Sequence, residues 1–169
     1  MNRKEKATTK SGGFVDPQLS TDDHDEVMIW LHENIESVIC EICPSAKDIK
    51  SKWEMPIIKG SHQYSSIVGY IDMTCQFSAI PNKSNSEDDR SFFNVAIEVK
   101  SRISNIGEVV RQINQYRAFF RADRFYICSP DDRFVSILES QNIGFIKAPD
   151  LHTKPIKEPD MAEMLGINL

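Results

Sequence analysis

No apolar run approaches the roughly 18 residues needed to span a membrane, so no spanning segment is expected. The basic stretch Met1 to Lys10 is followed by no apolar block, so no secretory signal is expected there. Cysteine is sparse, with four in 169 residues. Without a secretory leader, a disulfide framework is not expected, and the chain reads as intracellular and cytoplasmic. Cys40 and Cys43 form a CxxC pair, but zinc would need a second pair. Cys75 and Cys128 lie far apart on apolar, strand-like segments, so buried or idle thiols are expected. An excess of positive charge is also missing: 20 Lys and Arg stand against 25 Asp and Glu, a formal net charge of −5. That argues against a uniform basic coat and leaves a local basic groove open. No internal repeat is visible.

What remains is an ordinary globular composition, 40% hydrophobic and 27% charged, long enough to bury one core. Residues 1–20 are poor in apolar side chains and read as a flexible tail. Residues 21–150 read as the folded domain, and 151–169 as a C-terminal tail. Ser20-Thr21-Asp22-Asp23 carries helix-cap chemistry, and Val27, Trp30, Leu31, Ile35, Val38 and Ile39 recur at helical spacing. These predict a helix over 22–42, ending before Pro44. Three strands are expected at Lys52–Lys59, Ser66–Phe77 and Phe92–Lys100, with a polar loop from Ile80 to Ser91. A second helix follows over Ile106–Arg121, then a strand at Arg124–Ser129. A third helix from Pro130 to about Gln141 and a last strand at Ile143–Lys147 complete the order α-βββ-α-β-α-β. That order predicts an α/β fold, a central mixed sheet with helices on its two faces.

Three polar residues interrupt this apolar pattern. Glu98 and Lys100 alternate with Val95, Ile97 and Val99, so both point to one face of their strand. Asp72 follows Gly69-Tyr70-Ile71 in another apolar strand. If the strands are neighbours, Asp72 and Glu98 converge, and paired carboxylates suit a hard Mg²⁺ or Mn²⁺ ion. Such an ion offsets charge on a phosphoryl oxygen and activates water. The alternative is a surface Glu–Lys pair on an edge strand, with Asp72 closing a turn.

Gly69-Tyr70-Ile71-Asp72, Ala96-Ile97-Glu98-Val99-Lys100 and Gln112-Ile113-Asn114-Gln115-Tyr116 together resemble the PD-(D/E)XK nuclease superfamily. The QxxxY element is similar to that of its RecB-like branch, and Glu54-Met55-Pro56 to the E-x-P run many of those enzymes carry. The resemblance covers about residues 25 to 130 and implies a restriction-endonuclease-like core. It implies a metal-dependent DNA nuclease acting on single-stranded DNA or DNA ends, as an exonuclease for instance in DNA repair. A structure-selective or restriction-type endonuclease and a non-catalytic binding module are the alternatives. Asp72 and Glu98 would ligate the metal, with the Val99 carbonyl as a third ligand, and Lys100 would position the attacking water. Gln112 and Tyr116 would hold active-site groups and contact the strand. A first-helix histidine would complete the metal site. His32 stands at a suitable distance, with Glu33 and Glu36 as alternatives and a solvent-facing histidine as the plain reading.

The chain departs from the superfamily pattern where Ile71 replaces the proline. With no cysteine after Cys128, no iron–sulfur cluster is expected. No helicase segment is present, so a helicase or other subunit would be a separate partner. Lys100, Arg102, Arg111, Arg117, Arg121 and Arg124 crowd one segment that holds only Glu108 and Asp123 as acids. Arg111, Arg117 and Arg121, with Tyr116, are the candidate nucleic-acid contacts; a solvated helix face is the alternative. Tyr64, Tyr70 and Phe92 are open between base stacking and core packing. DNA against RNA, exo against endo, polarity and oligomeric state stay open.

Overall fold

The computed structural model describes residues 21–61, 64–81 and 86–150. Helix α1 spans Thr21–Ile42. Strands β1 (Lys47–Ser61) and β2 (Tyr64–Ala79) form a long hairpin. Strand β3 (Ser91–Val99), helix α2 (Ile106–Phe119), strand β4 (Arg124–Ser129), helix α3 (Val135–Ser140) and strand β5 (Ile143–Lys147) follow. This is the element order expected from the sequence. Both hairpin strands run longer than expected, and α3 is shorter. The expected tails, 1–20 and 151–169, lie outside the described residues.

The five strands form one sheet in the order β1-β2-β3-β4-β5. β1, β2 and β3 pair antiparallel, whereas β3-β4 and β4-β5 are parallel. Tight hairpins join antiparallel strands, and parallel neighbours need a crossover, here supplied by α2 and α3. The result is a mixed α/β sheet. Pro56, which cannot donate to a ladder, sits in the edge strand β1. Among the described residues no helix is long and apolar enough to cross a membrane.

Two apolar layers sandwich the sheet. On one face, Val27, Met28, Leu31, Ile35, Val38 and Ile39 of α1 bury against Met73, Cys75, Phe77, Val95, Ile97 and Val99. On the other, Val109, Ile113 and Tyr116 of α2 and Leu138 of α3 bury against Ile57, Ile71, Ala96 and Ile127. Cys75 and Cys128 are free and buried, Cys43 is half-buried and Cys40 exposed. Asn105 caps α2, its side chain accepting from the Gly107 and Glu108 N–H groups, which fixes where the helix starts. The expected helical turn at Pro130–Phe134 does not form. Asp131 instead accepts from the Ile103 N–H at 3.1 Å and from the Arg133 guanidinium at 2.7 Å, a local alternative to helix.

Candidate active site

The β2–β3 ladder ends at the pair Met73–Ile97. One residue further in the same register, Asp72 would face Glu98. There the side chain takes over from the backbone: Asp72 Oδ2 accepts the Val99 N–H at 2.7 Å. The strands part at this level, and two carboxylates stand where a ladder rung would be. On the other side of β2, β1 is irregular at the same level. Glu54 lies between the pairs Trp53–Met73 and Met55–Ile71, and its φ of 47° is left-handed. A non-glycine residue in that region is uncommon in a strand and marks a local distortion, although the pairing register does not shift across it.

Glu98 is 4% exposed. Its Oε1 accepts from Lys100 Nζ at 2.8 Å and from Gln112 Nε2 at 2.7 Å. The same Gln112 amide donates to the Tyr116 hydroxyl at 2.5 Å. The i, i+4 spacing of Gln112 and Tyr116 places both on one face of α2. Glu98 Oε2 is buried and has no hydrogen-bond partner among the described residues. An ionised oxygen held away from water without a partner is costly.

The charge states follow from this packing. Burial, with the neighbouring Asp72 charge, pushes the Glu98 carboxyl up to about 7, against the opposing pull of Lys100. Burial also works against ionised Asp72, but His24, Lys100 and the Val99 N–H more than offset it and hold the carboxyl below its ordinary value. Burial disfavours charged Lys100, yet Glu98 and Asp72 outweigh it, so the ammonium is held above its usual range. Burial, then the Glu98 charge, raises the Tyr116 phenol, which stays protonated at neutral pH. The site is thus a carboxylate pair flanked by the Lys100 ammonium and by a histidine.

That histidine is His24, which the sequence motifs alone did not single out. Its Nε2 stands 3.6 Å from Asp72 Oδ2. Burial lowers its pKa, but the adjacent Asp72 carboxylate more than reverses this. The signal was present in the helix phase. His24 precedes Val27 and Met28 by three and four residues, extending the buried stripe of α1 toward the sheet. His32 follows Leu31 directly and lies off that stripe. The structure turns His32 to Trp53, whose indole N–H donates to His32 Nδ1 at 3.0 Å. Eight residues of helix, about 12 Å of axis, separate the two histidines. His32 is therefore not brought to Asp72 with the other candidates. Glu33 and Glu36 are exposed on the same helix.

Asp72, Glu98, Lys100, Gln112 and Tyr116 are brought together, and Val99 joins them through its N–H. The arginines are not part of this cluster. Arg117 donates to the carbonyls of Gln141 and Asn142 at 3.1 and 2.8 Å, tying α2 to the end of α3. Arg111 lies 3.9 Å from Glu108 at the surface. Arg121 and Arg124 line an open hollow of about 540 Å³ at the C-terminal end of α2, whose lining includes Asp123 but neither Asp72 nor Glu98. Tyr64 and Phe92 are exposed and Tyr70 is half-buried, so none is a core aromatic.

Among the described residues no three His, Cys, Asp or Glu side chains form a ready-made metal cage. The donor set still fits a hard cation. Glu98 Oε2 is an oxygen in need of a positive partner, Asp72 is near enough for its charge to be felt there, and His24, when neutral, adds a ring nitrogen. Carbonyl and water oxygens ordinarily complete such a sphere. No family model, no curated protein and no solved structure matches this chain.

Proposed function

We propose that the chain is a metal-dependent nuclease that hydrolyses phosphodiester bonds of DNA, with single-stranded DNA or DNA ends as the favoured substrate. The observation that carries this reading is the lone buried oxygen of Glu98, beside Asp72 and bracketed by Lys100 and Gln112. A surface ion pair has no use for such an oxygen, and a pure binding module has no use for a buried Lys–Glu–Gln relay. The sheet order and the parting of β2 from β3 at the carboxylates support the restriction-endonuclease-like core that the motif resemblance implies.

Asp72 and Glu98 would hold a Mg²⁺ or Mn²⁺ ion, with the Val99 carbonyl available. His24, rather than His32, is the first-helix histidine placed to assist. When bound, the ion supplies positive charge to the phosphoryl oxygens and lowers the pKa of water. Lys100 donates one hydrogen bond to Glu98 Oε1 and keeps further N–H groups to orient a water and to stabilise charge building on the phosphate. Gln112 holds Glu98 through Oε1, which would leave Oε2 free to serve a cation. Tyr116, protonated, accepts from the Gln112 amide and stands close to the Glu98 carboxylate itself.

The test is cleavage of labelled linear and circular single-stranded and duplex DNA with Mn²⁺ or Mg²⁺. Metal-dependent cleavage that EDTA stops, and that falls at least 10²- to 10³-fold in Lys100→Ala or Asp72→Ala, is the expected result. Cutting of circles separates an endonuclease from an enzyme that needs ends. Cleavage undiminished in both variants would place the chemistry elsewhere.

A further inference from the structure

Trp53 is a large apolar side chain left 38% exposed, although its cross-strand partner Met73 is fully buried. Its ring is nevertheless held in place. The indole N–H donates to His32 Nδ1 at 3.0 Å, and the two rings meet at 61° with centroids 4.8 Å apart. His32 holds the indole by its N–H edge. A tryptophan with its one donor satisfied, its ring held and part of its surface in water is preorganised to stack on a flat partner.

Its position suggests which partner. Trp53 precedes Glu54, the irregular residue at the level of Asp72, and pairs with the residue after Asp72. Helix α1 reaches this rim twice, with His24 on Asp72 and His32 on Trp53. The indole therefore lies along one helix from the carboxylates. Lys50 and Lys52, both exposed, alternate with Trp53 on the same edge strand and so point to its opposite face. An exposed aromatic held close to a phosphodiester site is suited to single-stranded nucleic acid, because any unpaired base can stack on it.

We infer that the Trp53 indole is a stacking platform for a nucleobase neighbouring the bond to be cut, with His32 as the positioning residue that holds its ring. This rests on the nuclease reading above. The platform takes any base, since every base has a π-face, and it requires an unpaired one. It gives the site a physical reason to prefer single strands and frayed ends over intact duplex.

The experiment measures binding of labelled single-stranded oligonucleotides by anisotropy in EDTA, where no cleavage occurs. Trp53→Ala is expected to weaken binding about tenfold, and Trp53→Phe to retain most of it. His32→Ala should cost a few-fold, and His32→Asn, whose side-chain carbonyl can accept the indole N–H, should restore it. One abasic residue scanned along the oligonucleotide should, at a single position, weaken wild-type binding as much as Trp53→Ala does. At that position it should add nothing in Trp53→Ala, the coupling expected of two groups in contact. Equal affinity of Trp53→Ala and wild type, or abasic effects identical in both, would overturn the platform. If the wild type then still cleaves with Mn²⁺, the platform alone falls. If the wild type neither binds nor cleaves, the nuclease reading falls with it.

Discussion

Glu98 carries most of the physical tension in this molecule. It is buried, it feels the Asp72 charge, and one of its oxygens has no hydrogen-bond partner among the described residues. A group so placed is kept for what it does, since a neutral residue of equal size would cost less to bury. Glu98→Gln keeps an acceptor for Lys100 and Gln112 while removing the charge. In EDTA at pH 8, above the value of about 7 to which the carboxyl is pushed, we expect this variant to be more stable than wild type by about 1–3 kcal/mol. Urea unfolding checks it. Destabilisation would mean that the Lys100 ion pair outweighs the burial of charge. The same residue scale explains why His24 was missed in the sequence and His32 favoured. Distance along the chain to the first strand does not discriminate between them, whereas the helix phase set by Val27, Met28 and Leu31 does.

At the scale of elements, the site depends on the segment between β3 and α2, which must leave Lys100 and deliver Gln112. That segment is pinned from the opposite loop. Asp131 accepts the Ile103 N–H, and Arg133 donates both to Asp131 and to the Ile103 carbonyl. The Arg133 hydrogen bond holds the Asp131 carboxyl at about 2, below its ordinary 3.8. Because the folded value is depressed, this contribution is complete above about pH 4 and is lost as the pH falls toward 2. Asp131→Asn should therefore cost about 1–2 kcal/mol at pH 7, and the gap from wild type should narrow as the pH is lowered from 5 to 3. Denaturant melts across that range check it; a gap that widens on acidification would show that the clip is not ionic. This clip was not legible in the sequence. Pro130-Asp131-Asp132 reads as a helix start, and nothing local reveals that Asp131 is engaged by Ile103, 28 residues earlier. Arg117 is a similar case: its place in a basic run suggested phosphate contact, and its carbonyl partners lie at the end of α3.

For the whole molecule, the order of elements and the two faces of the sheet were legible because the apolar periodicities are clean. Val95, Ile97 and Val99 alternate with Ala96 and Glu98, and the α1 and α2 stripes match the layers that cover them. The convergence of Asp72 with Glu98 was legible as well, since it needs only that β2 and β3 be neighbours. Long-range closure was harder to read: the parting of β2 from β3, the irregular φ of Glu54, and the reach of α1 to both Asp72 and Trp53 each depend on how three elements meet. The cation site would be where they meet, with Asp72 from β2, Glu98 from β3 and His24 from α1. The central claim is that the lone Glu98 oxygen and Asp72 share a divalent cation. Calorimetric titration of Mn²⁺ into the metal-free protein tests it most directly. A saturable site in wild type, lost in both Asp72→Ala and Glu98→Ala and weakened in His24→Ala, is the expected result. Mn²⁺ binding that persists unchanged in a folded Asp72→Ala, Glu98→Ala double variant, or no binding by the wild type, would contradict it.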